Sequence, residues 1–370
     1  MKVAFVHDWL VVHGGAEQVT RELVDLFDAD VFALVDFLSA DDRQAILNGK
    51  HARTSFVQHL PFARTHFRWY LPLFPSAIER LDLRGYDLVI SASYAVAKGV
   101  RTHPGQVHVS YVHTPMRYAW VMEDAYLNDH GIGNGPKAWL VRRVLRYLRA
   151  WDLRVTTRVD RLVANSRNTA ARIQHIHGRD AEVVYPPLDL ARFAPGPGER
   201  THYLAAARLV PYKRIDRIIA AFRALPDHKL VVLGDGPERE RLQRVAPTNV
   251  AFRGHVDSDE LVRSMQHARA LIVAADEDFG LTPVEALACG TPAIALRRGG
   301  YPETITDGRT GLFFDEATPE AIRDTVLRFE RDGVACSPQE LRAAAEPFSR
   351  VHFRSAMTRI VNEAIAHARA

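Results

Sequence analysis

Only two cysteines occur in the 370 residues, Cys289 and Cys336, and neither sits in a C-x-x-C pair. That excludes a disulfide framework and a cysteine-ligated metal knuckle, and makes a reducing compartment the simpler setting. No run reaches the roughly 18 uncharged apolar residues that a membrane-spanning helix needs. The amino-terminal "MKVAFVHDWLVVHGG" has one lysine and a short apolar run broken by His7, Asp8 and His13, which does not fit a secretory leader. A cytoplasmic protein, or one peripheral on the inner face of the cytoplasmic membrane, is expected. An excess of one charge is also lacking: 48 Lys and Arg against 44 Asp and Glu leave a formal +4. That balance and the absence of a recognisable module argue against a nucleic-acid partner. It is compatible with an anionic small ligand or an anionic membrane surface.

What is present is an ordinary apolar content, 47%, in a chain long enough for two domains. Short apolar runs alternate with helical patterns. "VAFVH" (3–7), "DVFALV" (30–35), "YDLVISAS" (86–93), "VHVSYVH" (107–113) and "RLVANS" (161–166) read as strands in the first half. "THYLAAA" (201–207), "KLVVLG" (229–234), "NVAFRG" (249–254), "ALIVAA" (270–275) and "PAIAL" (292–296) do so in the second. Strands that are apolar throughout and separated by helices indicate parallel sheets covered on both faces. The proline- and glycine-rich "VVYPPLDLARFAPGPGER" (183–200) sustains neither period and marks a linker. The expected domains are therefore 1–186, with a last helix near 351–370 packing back on it, and 187–350. Two doubly wound, Rossmann-like domains facing a central cleft would bind ligand at the carboxyl ends of their strands.

Four stretches carry candidate chemistry. Gly14 and Gly15 lie at the first strand-to-helix turn. They either let backbone N–H groups approach a phosphate or serve a tight turn that needs positive φ. In "ARLVPYKRIDRIIAAF" (207–222), Arg208 ends a strand and Lys213 sits at the next helix's start, where positive charge opposes the helix dipole. A bound diphosphate would reverse that penalty; the alternative is surface pairing with Asp216 or Glu285. "VLGDGPERERL" (232–242) opens with a structural turn and is assigned an edge position in the cleft. In "EDFGLTPVE" (277–285), Thr282, Pro283 and Glu285 fit a capping box, so Glu285 has a structural reading as well as a binding one. Glu277 has no such reading, and lies just past an apolar strand. "RRGGYPETI" (297–305) repeats the pattern of glycines followed by a helix start.

Arg208 with Lys213, the E-x7-E stretch Glu277…Glu285, "GGAE" and "VVYPPLDLARF" together resemble the retaining glycosyltransferases of family 4, with the GT-B fold, over essentially the whole chain. "FVHDWLVVHGGAEQV" and "SYVHTPMRYAW" more narrowly resemble bacterial GDP-mannose-dependent mannosyltransferases of O-antigen and exopolysaccharide synthesis. The resemblance implies that Arg208 and Lys213 hold the donor diphosphate and that Glu285 accepts from the ribose hydroxyls. It places Glu277, His113 and the backbone of Phe279, Gly280 and Leu281 at the donor sugar, and Gly14 and Gly15 near the phosphates. The base would lie near "RGHV", against His255 and Val256. No cofactor and no metal are implied, and the letters "DED" at 276–278 belong to the E-x7-E loop. The implied partners are a nucleotide sugar, GDP-mannose or a UDP-sugar, and a lipid-linked or oligosaccharide acceptor.

Two segments suggest a surface. "HLPFARTHFRWYLPLFP" (59–75) mixes aromatics, arginine and proline in a loop or broken helix. "VRRVLRYLRAWDLRVTTRVDR" (141–161) carries Arg142, Arg146 and Arg149 on one stripe beside Val141, Leu145 and Leu148. Such a helix either lies on an anionic leaflet or buries its apolar stripe in the domain. Competing readings of the whole chain are a sugar-nucleotide epimerase, a phosphorylase of the same architecture, and a non-enzymatic two-domain solute-binding protein.

Overall fold

The computed structural model describes residues 1–11, 14–120 and 135–369. The chain divides into two compact units, one of Met1–Pro187 with the residues from Phe353 onward, the other Leu188–His352.

The first unit holds seven strands: β1 (Val3–His7), β2 (Asp30–Ala33), β3 (Arg53–Thr54), β4 (Leu88–Ser93), β5 (Val107–Val112), β6 (Arg161–Ala164) and β7 (Glu182–Val183). All pair in parallel, in the order β3-β2-β1-β4-β5-β6-β7. β1, β4 and β5 are buried along their whole length, which is why they read as unbroken apolar runs rather than alternating ones. One face packs on Val19, Leu23 and Val24 of the helix Gly15–Leu26 and on Phe353, Met357, Ile360, Val361 and Ala364 of the final helix, Arg350–Arg369. Arg354 also pairs with Glu22 and Asp25, and Arg359 with Glu182. The other face is filled by Phe67, Phe74, Ile78 and by Leu145, Leu148, Trp151 and Val155 of the helix Pro136–Thr156. Residues 59–75 form a broken series of short helical turns, Ala63–His66 and Phe67–Leu73 among them.

The second unit holds β8 (His202–Ala206), β9 (Leu230–Leu233), β10 (Val250–Gly254), β11 (Ala268–Val273), β12 (Ala293–Leu296) and β13 (Gly311–Phe314). These are again all parallel, in the order β10-β9-β8-β11-β12-β13. Both sheets are doubly wound. Their order reverses between β1 and β4 in the first and between β8 and β11 in the second, so the loops leaving those strands flank the two switch points.

β1 matches its apolar run, β11 is shifted two residues toward the amino end, the other expected strands are shorter than the runs suggested, and three escaped them: β3, β7 and β13. β3 and β7 have two residues each and form the sheet edges. β13 is buried but has only four residues between turn signals. Pieces as short as β3 and β7 carry no readable period.

Candidate active site

In the second unit the switch point is lined by two loops. The first leaves β8. Arg208 is exposed, and its side chain makes no hydrogen bond or ion pair among the described residues. Lys213 ends a 3-10 turn, Pro211–Lys213. The α-helix Ile215–Phe222 begins only after Arg214, which caps it in the left-handed region at φ 56°. Lys213 thus stands two residues before the first helical residue, next to the cap. Its Nζ lies 2.6 Å from Oε1 of Glu277, with both side chains largely shielded. Of the two acids considered from the sequence, Asp216 faces Arg217 at 3.6 Å.

The second loop leaves β11. It is fixed by backbone-to-backbone packing against the loop after β12. Gly300 N donates to Glu277 O at 2.8 Å. A Cβ at Gly299, where φ is +63°, would stand 2.0 Å from Glu277 O, and one at Gly300 would stand 2.5 Å from Phe279 Cα. The glycines of "RRGG" therefore let two loops touch, and this contact holds Glu277 toward Lys213. Gly280 is the cap of the helix Leu281–Ala288 at φ 83°, with no side-chain cap. The capping box expected at Thr282 is absent. The helix starts two residues earlier than that box requires, because glycine can take the left-handed cap and places Leu281 first. Pro283 then falls in the first turn, where its missing N–H leaves no bond unmade. A true capping box occurs at Ser337 and Glu340. Glu285 sits inside the helix and is 7% exposed. Burial, and after it the Glu285 charge, push the neighbouring Cys289 thiol up to about 12, so that cysteine is no nucleophile.

His255 is exposed and Val256 half-buried, just past β10. They lie on the opposite side of β8 from Glu277, separated from it by strands β9 and β8. The "GDGP" turn packs on the loop carrying Arg208: a Cβ at Gly234 would stand 1.9 Å from Ala207 O, and one at Gly236 2.3 Å from Leu209 O.

In the first unit Val12 and His13 fall outside the described residues. Gly14 caps the helix Gly15–Leu26 at φ −150°. Neither Gly14 nor Gly15 has positive φ, which removes the left-handed turn as their reason. A Cβ at Gly15 would meet nothing within 4 Å, so the glycine leaves the helix start open. Glu17 folds back over this end: its Oε2 lies 3.1 Å from where a Gly14 Cβ would be. Its Oε1 lies 3.7 Å from Nε2 of His7, and both side chains are buried. His113 follows β5, its N–H donating to Ser93 O at 2.9 Å. Its Nε2 is buried without a hydrogen-bond partner. Burial first, and the nearby His7 second, hold the imidazole down at about 3. It is therefore a neutral ring, able to donate or accept one hydrogen bond at physiological pH. Tyr94 stands against both histidines, with ring centroids 5.6 Å from His7 and 6.0 Å from His113.

Asp8 was not a sequence candidate, yet it organises this end of the sheet. Its buried carboxylate accepts from four consecutive N–H groups, Tyr94, Ala95, Val96 and Ala97, at 2.6–2.9 Å. That grip ties the loop after β4 to the end of β1 and aims Tyr94 at the histidines. Glu17 was quoted only as part of a motif. The signal for both was a lone acid at the end of an apolar strand or in the first turn of the following helix. Among the described residues no group of three or more His, Cys, Asp or Glu is close enough to hold a metal ion.

Comparison with known proteins fits this layout. Residues 13–192 match the profile of glycosyltransferase family 4, and 191–348 that of the glycosyl transferases group 1. The chain belongs to the GT-B glycosyltransferases. A GDP-mannose-dependent α-(1-6)-phosphatidylinositol monomannoside mannosyltransferase of Mycolicibacterium smegmatis is 34% identical over 194 residues, 44% of this chain and 50% of that one. The match thus spans only half that relative's length. A D-inositol 3-phosphate glycosyltransferase of Acidothermus cellulolyticus is 27% identical over 91% of this chain and 81% of its own. Among solved structures, sucrose-phosphate synthase of Thermosynechococcus elongatus superposes with TM-score 0.74 at 17% identity, covering 99% of this chain and 100% of that one. Anabaena HepE, solved with UDP and glucose, does so with TM-score 0.72 at 16%, covering 98% of this chain and 99% of that one. At such identities these two speak for the fold.

Proposed function

We propose that this chain is a sugar-nucleotide-dependent glycosyltransferase that moves mannose from GDP-mannose to a lipid-linked or oligosaccharide acceptor. The Lys213–Glu277 pair at the switch point of the second sheet carries the reading. It sets a cation for a diphosphate beside a carboxylate for sugar hydroxyls. Arg208 and Lys213 take the diphosphate, the first as a planar fork and the second as a point charge. Glu277 and the N–H groups of Phe279, Gly280 and Leu281 take the sugar, and Glu285 the ribose. In the first unit, the helix start at Gly15 offers backbone N–H groups that suit an anion, and neutral His113 can make one hydrogen bond to a hydroxyl.

In this reading the bond from the anomeric carbon to the diphosphate oxygen breaks while the acceptor oxygen bonds the same face. The acceptor proton passes to the leaving diphosphate, so the configuration is retained. Arg208 and Lys213 stabilise the charge that develops on the leaving group, which takes the part a metal plays elsewhere. The relatives named for GDP-mannose and for inositol phosphates agree with a polyol or lipid-linked acceptor.

The acceptor's lipid side is assigned to the helix Pro136–Thr156. Its apolar stripe is core, but Trp139, Leu140, Tyr147 and Leu153 on the outer side are all exposed. Arg143, Arg146 and Arg154 are exposed among them. Arg149 is not part of this face: it donates to Ala119 O at 2.5 Å and lies over Trp120. Aromatics interleaved with arginine, with no acid between them, match an anionic lipid surface. No helix among the described residues is long and apolar enough to cross a membrane.

The test is a thermal-shift panel of GDP, UDP, ADP and their common sugars, with and without chelator. A ligand selective for the folded state raises the midpoint. Stabilisation by GDP and GDP-mannose, insensitive to chelator, is expected. Stabilisation by UDP alone would replace the donor, conversion of a UDP-sugar without acceptor would make the protein an epimerase, and no shift at all would overturn the site.

A further inference from the structure

In the second sheet β10, β9, β8 and β11 stand side by side. The loops leaving their carboxyl ends present, in that order, His255, Asp235, Arg208 and Glu277. A ligand with its sugar at Glu277 and its diphosphate at Arg208 and Lys213 then extends its base over the ends of β9 and β10. Arg239 stands there with donors to spare.

Arg239 Nη1 donates to Asp235 Oδ2 at 2.8 Å. Its guanidinium lies flat on Gly254: Nη1, Nη2 and Cζ are 3.1, 3.2 and 3.3 Å from the place a Cβ would occupy. Gly254 has φ +71° and ends a strand whose register slips at this point. Its N–H-accepting oxygen is held by Gly234 N at 2.7 Å. Any other residue at 254 would be strained and would push the guanidinium off. The arrangement fixes the plane of the fork and uses one edge of it on Asp235. Nε and Nη2 have no partner among the described residues, and more than a third of the side chain is open to solvent.

Resting on the donor-site reading above, we propose that Arg239, braced by Asp235 and seated on Gly254, is the base-reading residue and selects guanine. An arginine fork matches two adjacent acceptors, which guanine supplies in O6 and N7. Uracil offers one carbonyl at a time in that geometry. Adenine sets an amino donor beside N7, which opposes the guanidinium. The residue thus ranks the bases guanine, uracil, adenine, and does so by donor count rather than by pocket size.

The test is titration calorimetry of GDP, UDP and ADP against the full chain and its Arg239→Ala and Arg239→Lys variants. The wild type is expected to bind GDP about tenfold or more tighter than UDP, as a bidentate contact implies. Arg239→Ala should remove that ratio, because GDP loses two bonds and UDP at most one, so GDP affinity falls further than UDP affinity. Arg239→Lys should remove it as well, because lysine keeps the charge and loses the fork. A GDP-to-UDP ratio that survives in Arg239→Ala overturns the proposal. So does a wild type that prefers UDP, or a variant that weakens all three nucleotides equally. A wild type that binds none of them overturns the donor site itself, a different failure.

Discussion

Lys213 Nζ and Glu277 Oε1, far apart in sequence, meet at 2.6 Å over the switch point of the second sheet. The contact depends on two backbones touching. Glu277 is placed by the hydrogen bond its carbonyl accepts from Gly300, and Lys213 by a 3-10 turn that stops the chain short of the helix. A pair of this kind keeps both groups ordered before any ligand arrives, which lowers the cost of ordering them on binding.

Removing either partner should therefore have different readouts. Lys213→Ala is expected to weaken GDP binding by about tenfold or more, the usual worth of a hydrogen bond to a charged group. Glu277→Ala should leave GDP affinity nearly unchanged and nearly abolish transfer. Calorimetry with GDP and a transfer assay separate the two; full activity in both variants would remove the assignment.

The glycines that let the loops touch should tolerate nothing larger. Gly299→Ala and Gly280→Ala place a Cβ 2.0 Å from Glu277 O and 2.3 Å from the Tyr301 ring, each at positive φ. A loss of about 1–3 kcal/mol is expected from the backbone strain alone. Thermal unfolding should show the drop, and transfer activity should fall with it, since the loop carries Glu277.

Asp8→Ala leaves four N–H groups, three of them buried, without their acceptor. Orphaned buried donors cost about 1–3 kcal/mol each where water cannot reach them, so a large fall in the melting midpoint is expected. Asp8→Asn should be milder, because its carbonyl still accepts. Equal stability of Asp8→Ala and wild type would show that the loop after β4 does not depend on this carboxylate.

Two buried imidazoles make stability fall on the acid side. Burial holds His108 at about 4, and burial with His7 holds His113 at about 3, against an ordinary value of 6.5. Both values are lowered on folding, so the unfolded chain binds more protons below pH 6.5 and stability decreases as pH falls from there. The melting midpoint should be flat from about pH 7 to 8 and drop between about pH 6.5 and 4.5. His108→Gln, which can keep a hydrogen bond to Ser91 in place of the present 2.8 Å contact, should flatten that slope. Midpoints that do not change in this window would contradict the buried, neutral state of both rings.

The exposed face of Pro136–Thr156 should be separable from catalysis. In flotation with vesicles containing anionic lipid at low salt, wild-type protein is expected to rise with the vesicles. Arg143→Glu with Arg146→Glu should stay behind, because each basic residue near such a surface contributes about 1 kcal/mol. Wild-type protein that stays behind with anionic vesicles would end the membrane reading.

The architecture was legible in the residues alone because burial on both faces writes itself into the composition of a strand. β1, β4, β5, β8 and β11 are near-continuous apolar runs, and only a covered parallel sheet needs them. Spacing likewise separated Glu277, on a loop, from Glu285, in a helix. The sequence could not reveal which acid meets Lys213, why "RRGG" needs two glycines, or that Asp8 and Arg239 stand at strand ends among backbone donors and glycine. Those facts depend on loops brought together by the strand order β10-β9-β8-β11 and β1-β4. Contacts between loops distant along the chain leave no period in the sequence, so only the folded sheet decides them.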